Sequence, residues 1–179
     1  MTTSTQLGGQ YLDRIVYSAA TIARRVEEMG REISECYDEG DDLLVLGLLK
    51  GSFIFLADLV RSIDLPLQVD FMVASSYGSG TESSGDVRLV YDGEPSLESR
   101  AVIIVEDIVE SGNTMNRLVP ILAERGPKSL EICALLHKRL GGVVKEPRWV
   151  GFDAPEEFLV GYGLDFNENY RHLPYIASL

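Results

Sequence analysis

The sequence predicts an α/β fold, a single domain with a mainly parallel sheet flanked by helices. Three observations carry this. Short apolar runs rich in Leu, Val and Ile, such as DLLVLGLL and AVIIVED, read as strands buried on both faces, as in a parallel sheet. Helical stretches lie between those runs, and alternation of strand and helix builds parallel units. At 179 residues the chain can bury one substantial core and is short for two.

The elements follow in order. Ile15, Ala19, Ile22, Val26, Met29 and Ile33 recur at steps of four and three. This predicts one face of an amphipathic helix, with Arg24, Arg25, Glu27, Glu28 and Arg31 largely opposite. DLLVLGLL is then a strand, SFIFLADLVRSI a helix and LQVDFMVASSY a strand. From Ala74 to Arg88, ASSYGSGTESSGDVR is dense in Ser and Gly and is expected to be mobile. Composition leaves open whether it is a functional lid or a plain hairpin tip. AVIIVED is another strand, NTMNRLVPILAERG a helix that tolerates Pro120, and SLEICALLHK a further strand. WVGFDAPEEFLVGYGLD suggests one or two short strands more. No repeat or linker divides residues 1–179, and 1–10 are expected to form a disordered tail.

Composition narrows the function. Apolar residues make up 45% and charged residues 25%, the balance of an ordinary soluble protein. The net charge of −12, from 28 acidic and 16 basic residues, argues against a nucleic-acid surface, which needs a basic stripe. A few local lysines and arginines can still hold a small phosphorylated ligand. No apolar run approaches a membrane span, and MTTSTQLGGQ lacks the basic-then-apolar pattern of a signal peptide. No membrane association and a cytoplasmic location are expected. Cys36 and Cys133 are too few for a disulfide framework and read as inert. His137 and His172 lack partners at metal-ligand spacing and read as structural or surface residues.

In sheets of this kind ligands sit at the carboxyl ends of the strands. After LLVLGL comes Leu49-Lys50-Gly51-Ser52, and after AVIIV comes EDIVESGNT, each leading into a helix. Two helix N-termini with small residues could hold two phosphate groups. The patterns GxxxxGK[ST] and GxGxxG are both absent, and each turn alone is better explained as structure than as a ligand site. Glu106 and Asp107 shift that balance. Ionised carboxylates accept hydrogen bonds and bind hard cations, so they suit sugar hydroxyls or Mg²⁺ better than phosphate. A ligand carrying ribose, phosphate and metal would use the whole turn.

VEDIVESGNT closely resembles the phosphoribosyl-pyrophosphate signature of the type I phosphoribosyltransferases. LLKGSFIFLADLV, SSYGSGTESSGDV, LLHKR and FLVGYGLDFNENYRHLPYI resemble the hypoxanthine-guanine branch, in its order and spacing, from about Ile15 onward. The resemblance implies that family's fold, with a small hood and a mobile loop. It implies transfer of a phosphoribosyl group from phosphoribosyl pyrophosphate to N9 of hypoxanthine or guanine. Glu106 and Asp107 would hold the ribose hydroxyls and support a Mg²⁺ ion. Ser111, Gly112, Asn113 and Thr114 would grip the 5′-phosphate. Lys50 and Gly51 would bind pyrophosphate through main-chain N–H groups, after a cis peptide between Leu49 and Lys50. Ser76 and Tyr77 would ride on the mobile loop. Lys138 would face the purine O6, and Phe158 would stack on the ring with Leu159 beside it. Asp165 would bind a second Mg²⁺, and Arg171 would add a charge to the leaving pyrophosphate. Lys138 has donors and no acceptor, so it matches a 6-oxo group and is mismatched to adenine. Trp149 is expected near the base pocket. A homodimer or homotetramer is implied.

One position departs from the pattern. The family usually has Asp where this chain has Glu110, the carboxylate that faces the purine N7 and manages its proton. The longer acid could do the same job through a slightly moved turn. It could also serve a different base or a slower enzyme, or have lost the role. On the same fold, an RNA-binding regulator would need the basic surface that the net charge opposes.

Overall fold

The computed structural model describes residues 6–7, 10–76, 87–91, 96–142 and 145–179. Two short strands, β1 (Gln6–Leu7) and β2 (Gln10–Tyr11), pair antiparallel. They are followed by β3 (Arg14–Tyr17), α1 (Ala19–Ser34), β4 (Leu43–Leu49), α2 (Phe53–Ser62), β5 (Leu67–Ser76) and β6 (Val87–Tyr91). The chain continues with β7 (Ala101–Val109), α3 (Asn113–Ala123), β8 (Ser129–His137), β9 (Trp149–Asp153), β10 (Leu159–Val160) and β11 (Ile176–Ser178). The rest of 1–10 lies outside the described residues.

The main sheet has the order β6-β5-β4-β7-β8-β9. Strands β5, β4, β7, β8 and β9 are parallel, and β6 runs antiparallel along the edge of β5. Alternate residues of each strand face opposite sides, so the unbroken apolar runs feed two cores. Val45, Ile103 and Cys133 meet Ile22, Val26 and Met29 of α1 and Phe55 and Leu59 of α2. Leu44, Leu46, Val102, Ile104 and Ile132 meet Met115, Leu118 and Leu122 of α3. Each fully buried Leu or Ile of these layers contributes about 1.5–3 kcal/mol. Close packing of α2 depends on Gly47, where a Cβ would stand 2.5 Å from Leu56 Cδ2.

A second sheet, β10-β11-β3, is antiparallel and forms the hood. Part of it corrects the sequence reading. Ile15 belongs to β3, pairs with Ala177 and is 57% exposed, rather than opening the buried face of α1. The helix starts after Ser18, whose extended backbone and Oγ, accepting from Thr21 N–H, cap it. A four-residue strand rich in β-branched side chains carries too little periodicity to announce itself. Cys36 lies just past α1 and is exposed, whereas Cys133 is buried in β8.

Ala74–Ser76 end β5, as the strand reading of LQVDFMVASSY has it, and pair with β6, whose Val87 and Arg88 were read only as part of the Ser/Gly segment. The Ser/Gly segment therefore joins the two strands of a hairpin. Its tip, with Tyr77, lies outside the described residues. Trp149 also departs from expectation. It begins β9, in register with Cys133 at the middle of β8, and packs against Tyr37 in the core, with ring centroids 6.1 Å apart. The base pocket expected for it belongs further along, at the carboxyl edge beyond His137. Among the described residues, no helix is long and apolar enough to cross a membrane.

Candidate active site

The loops after β4, β7 and β8 meet the hood at the carboxyl edge of the sheet. After β4 the Leu49–Lys50 peptide is cis, and Ser52 is fully buried, its Oγ donating to the Leu48 carbonyl at 2.6 Å. This short turn exposes Lys50 and brings Gly51 against two neighbours. A Cβ on Gly51 would lie 1.7 Å from Asp107 Oδ2. From the hood, a Cβ on Gly163 would lie 2.0 Å from the Gly51 carbonyl oxygen, and Gly163 has φ +104°. The Gly163 contact, with backbone and at a positive φ, admits only glycine, whereas a side chain at position 51 would have to displace the Asp107 carboxylate.

Strand β7 runs two residues further than the sequence reading had it, through Ile108 and Val109. Glu106 and Asp107 therefore sit inside the strand rather than at its end. Burial raises the Glu106 carboxyl well above the ordinary range, and the neighbouring Asp107 charge raises it further. Burial pushes the Asp107 carboxyl up to about 6, opposed by the Ile108 N–H that donates to its Oδ1 at 2.9 Å. Arg171 also lowers it and Asp165 raises it, so these hood residues lie within electrostatic reach of β7. Two polar atoms here are buried without a hydrogen-bond partner among the described residues, Glu106 Oε2 and Arg171 Nε. Buried polar groups of this kind call for a partner.

Glu110 and Ser111 form the turn, and Gly112 caps α3 in the left-handed region at φ 73°. No side chain caps the first turn of α3, and no acidic residue sits there. Its first-turn amide groups thus lack a capping side chain, beside exposed Ser111 and Asn113 and part-exposed Thr114, an arrangement suited to an anion. Asn116 Nδ2 donates to the Gly142 carbonyl at 2.6 Å, tying the loop after β8 to this helix.

Lys138 follows β8, its N–H bonded to the Val109 carbonyl at 2.9 Å. Its side chain is mostly buried, and its ammonium is paired with the Glu110 carboxylate. Phe158 is 53% exposed, unlike a core aromatic, and meets Phe166 edge to face at 5.7 Å. Leu159 is different: its side chain is buried in the core and its backbone pairs with Ser178. The expected substrate contact can come only from its main chain.

Arg171 is held by three hood acceptors: the Gly163 carbonyl at 2.8 Å, Asp165 Oδ1 at 2.8 Å and Glu168 Oε2 at 3.2 Å. Glu168 also pairs with Lys50 at 3.1 Å. Neither Glu168 nor Gly163 stood out in the sequence; Lys50 and Glu168 are 118 positions apart. His137 is buried beside Glu146 and His172 is exposed. The backbone of Ser76 ends β5 at the same edge.

These features coincide with those of known proteins. The family model for the phosphoribosyl transferase domain matches residues 15–167. The chain belongs to the phosphoribosyltransferase family.

Within that family it is 47% identical over 167 residues to the hypoxanthine phosphoribosyltransferase of Salmonella typhimurium, covering 92% of this chain and 94% of the relative. The hypoxanthine-guanine phosphoribosyltransferase of Dictyostelium discoideum is 46% identical with the same coverage. Among solved structures, the hypoxanthine phosphoribosyltransferase of Staphylococcus aureus superposes with a TM-score of 0.88 at 41% identity, covering 94% of this chain and 91% of that one. The hypoxanthine-guanine enzyme of Bacillus anthracis gives 0.88 at 40% identity, with 94% and 99% covered. A phosphoribosyltransferase fold built on a parallel sheet is therefore established for this chain.

Proposed function

We propose that the protein is a purine-salvage hypoxanthine-guanine phosphoribosyltransferase. It transfers the phosphoribosyl group of phosphoribosyl pyrophosphate to N9 of hypoxanthine or guanine, giving the nucleotide and pyrophosphate. The observation that carries this reading is the Lys138–Glu110 pair after β8, together with Phe158 standing exposed just before β10 of the hood. It sets a donor for a 6-oxo group next to a carboxylate able to take the base's proton.

The remaining groups serve the sugar and its leaving group. The uncapped first turn of α3 receives the 5′-phosphate. Glu106 and Asp107 accept from the ribose hydroxyls. Lys50, the Gly51 amide and Arg171 gather around the leaving pyrophosphate and stabilise its developing charge. The segment that follows β5, with Ser76 and Tyr77, would close over the reaction centre and keep water from the ribosyl cation.

Mg²⁺ fits this donor set. Glu106 Oε2 is a buried carboxylate oxygen without a hydrogen-bond partner among the described residues, Asp107 is its neighbour, and Asp165 lies within electrostatic reach of Asp107. Among the described residues no group of three or more His, Cys, Asp or Glu is gathered for a metal. The ion would therefore be shared with ligand oxygens, as Mg²⁺ prefers. Glu106 and Asp107 would support one ion and Asp165 a second; bound there, Mg²⁺ neutralises charge on the pyrophosphate. Phe53 on α2 and Val69 and Phe71 on β5 are exposed apolar side chains that support a homodimer or homotetramer, and a cytoplasmic location accords with the reading.

Purified protein supplied with Mg²⁺, phosphoribosyl pyrophosphate and each of hypoxanthine, guanine, xanthine and adenine tests the assignment. Nucleotide should form from hypoxanthine or guanine. No product from any base would refute the enzyme, and preference for adenine would refute the role of Lys138.

A further inference from the structure

We propose that Glu168 is a positioning residue that competes with pyrophosphate for its own binding site. The inference rests on the reading of Lys50 and Arg171 as the pyrophosphate grip. The two cations lie on opposite walls of the cleft, Lys50 on the turn after β4 and Arg171 on the hood. Glu168 spans them, with Oε1 3.1 Å from Lys50 Nζ and Oε2 3.2 Å from Arg171 Nη2. Each carboxylate oxygen thus takes a donor that a phosphate oxygen of the leaving group also needs.

The backbone is built to deliver this carboxylate. Asn167 and Glu168 lie in the left-handed region at φ 50° and 62°. Phe166 and Asn169 exchange two backbone hydrogen bonds, of 3.2 and 3.0 Å, which close the turn. The Glu168 N–H donates to Asp165 Oδ2 at 2.8 Å. The turn is therefore fastened to the acid assigned to the metal, and its tip faces Lys50.

The two cations do not depend on Glu168 equally. When it withdraws, Arg171 keeps the Gly163 carbonyl and Asp165. Lys50 has Glu168 as its ion-pair partner among the described residues and is released to the ligand. Both Glu168 and Lys50 are 65% exposed, so solvent takes over their charges at small cost and the pair is weak enough to be displaced. Before the substrate binds, Glu168 holds the two cations in place. After transfer it takes them back and helps expel pyrophosphate, a step that limits turnover in many enzymes.

The experiment is calorimetric titration of the full-length protein with Mg²⁺-pyrophosphate, which needs no turnover. Glu168→Gln should bind pyrophosphate about two- to five-fold more tightly than wild type, the range of an exposed ion pair. The gain should shrink at about 1 M salt, where charges are screened beyond about 3 Å. In a Lys50→Gln background, Glu168→Gln should tighten binding less. The KM for hypoxanthine should not move. Unchanged or weaker pyrophosphate binding by Glu168→Gln overturns the competition. A wild-type protein that binds no pyrophosphate overturns the reading of the grip itself, and the competition with it.

Discussion

The Asp107 carboxylate rests directly against Gly51, so that a single methyl group at position 51 would overlap its Oδ2. The turn after β4 and the acid of β7 therefore share one space, and glycine is what lets the grip close onto the carboxylates.

Gly51→Ala should lower kcat/KM about a hundredfold, because Asp107 must swing off its Ile108 N–H to make room. Steady-state kinetics with phosphoribosyl pyrophosphate varied will show it. Unchanged kinetics would mean that the contact relaxes without consequence.

Asp107 should make the free protein less stable as pH rises. Its carboxyl, ordinarily near 3.8, is raised to about 6 in the folded chain. Between those values the folded state keeps a proton that the unfolded chain releases, so stability is lost as pH rises through that window. Asp107→Asn should then be more stable than wild type at pH 7.5, by on the order of 2 kcal/mol, with the difference vanishing near pH 4. Urea unfolding at both pH values measures it, and activity should be lost in the same variant.

Glu110→Gln should lower kcat several-fold or more while KM changes little, because the amide cannot accept the base's proton. An unchanged rate across pH would remove the proton-handling role.

Phe158→Ala should raise KM for the base about tenfold or more, from lost stacking. Its unfolding midpoint should stay near wild type, since the ring is 53% exposed. A large fall in stability with no change in KM would make Phe158 a packing residue.

How much was legible in the sequence varies residue by residue. The strands β4, β7 and β8 were, because a parallel sheet buries both faces and writes itself as an unbroken apolar run. Lys50, Glu106, Asp107, Glu110 and Ser111–Thr114 were marked out because each lies just after, or at the end of, such a run. The hood was only partly visible: strands of two to four residues carry no period, and β3 pairs with a strand at the far end of the chain. Its start was absorbed into the helix reading through Ile15.

The sequence by itself determined the alternation of strand and helix, the edge of the sheet that carries chemistry, and which residues stand there. Only the tertiary structure decided who meets whom. Gly51 against Asp107 and Gly163, Lys138 on Glu110, and Glu168 on Lys50 are contacts between residues far apart in the chain. Local patterns record backbone preference and burial, because those are set by near neighbours. A carboxylate's partner and proton affinity depend on what the folded chain brings beside it and on how much water it excludes.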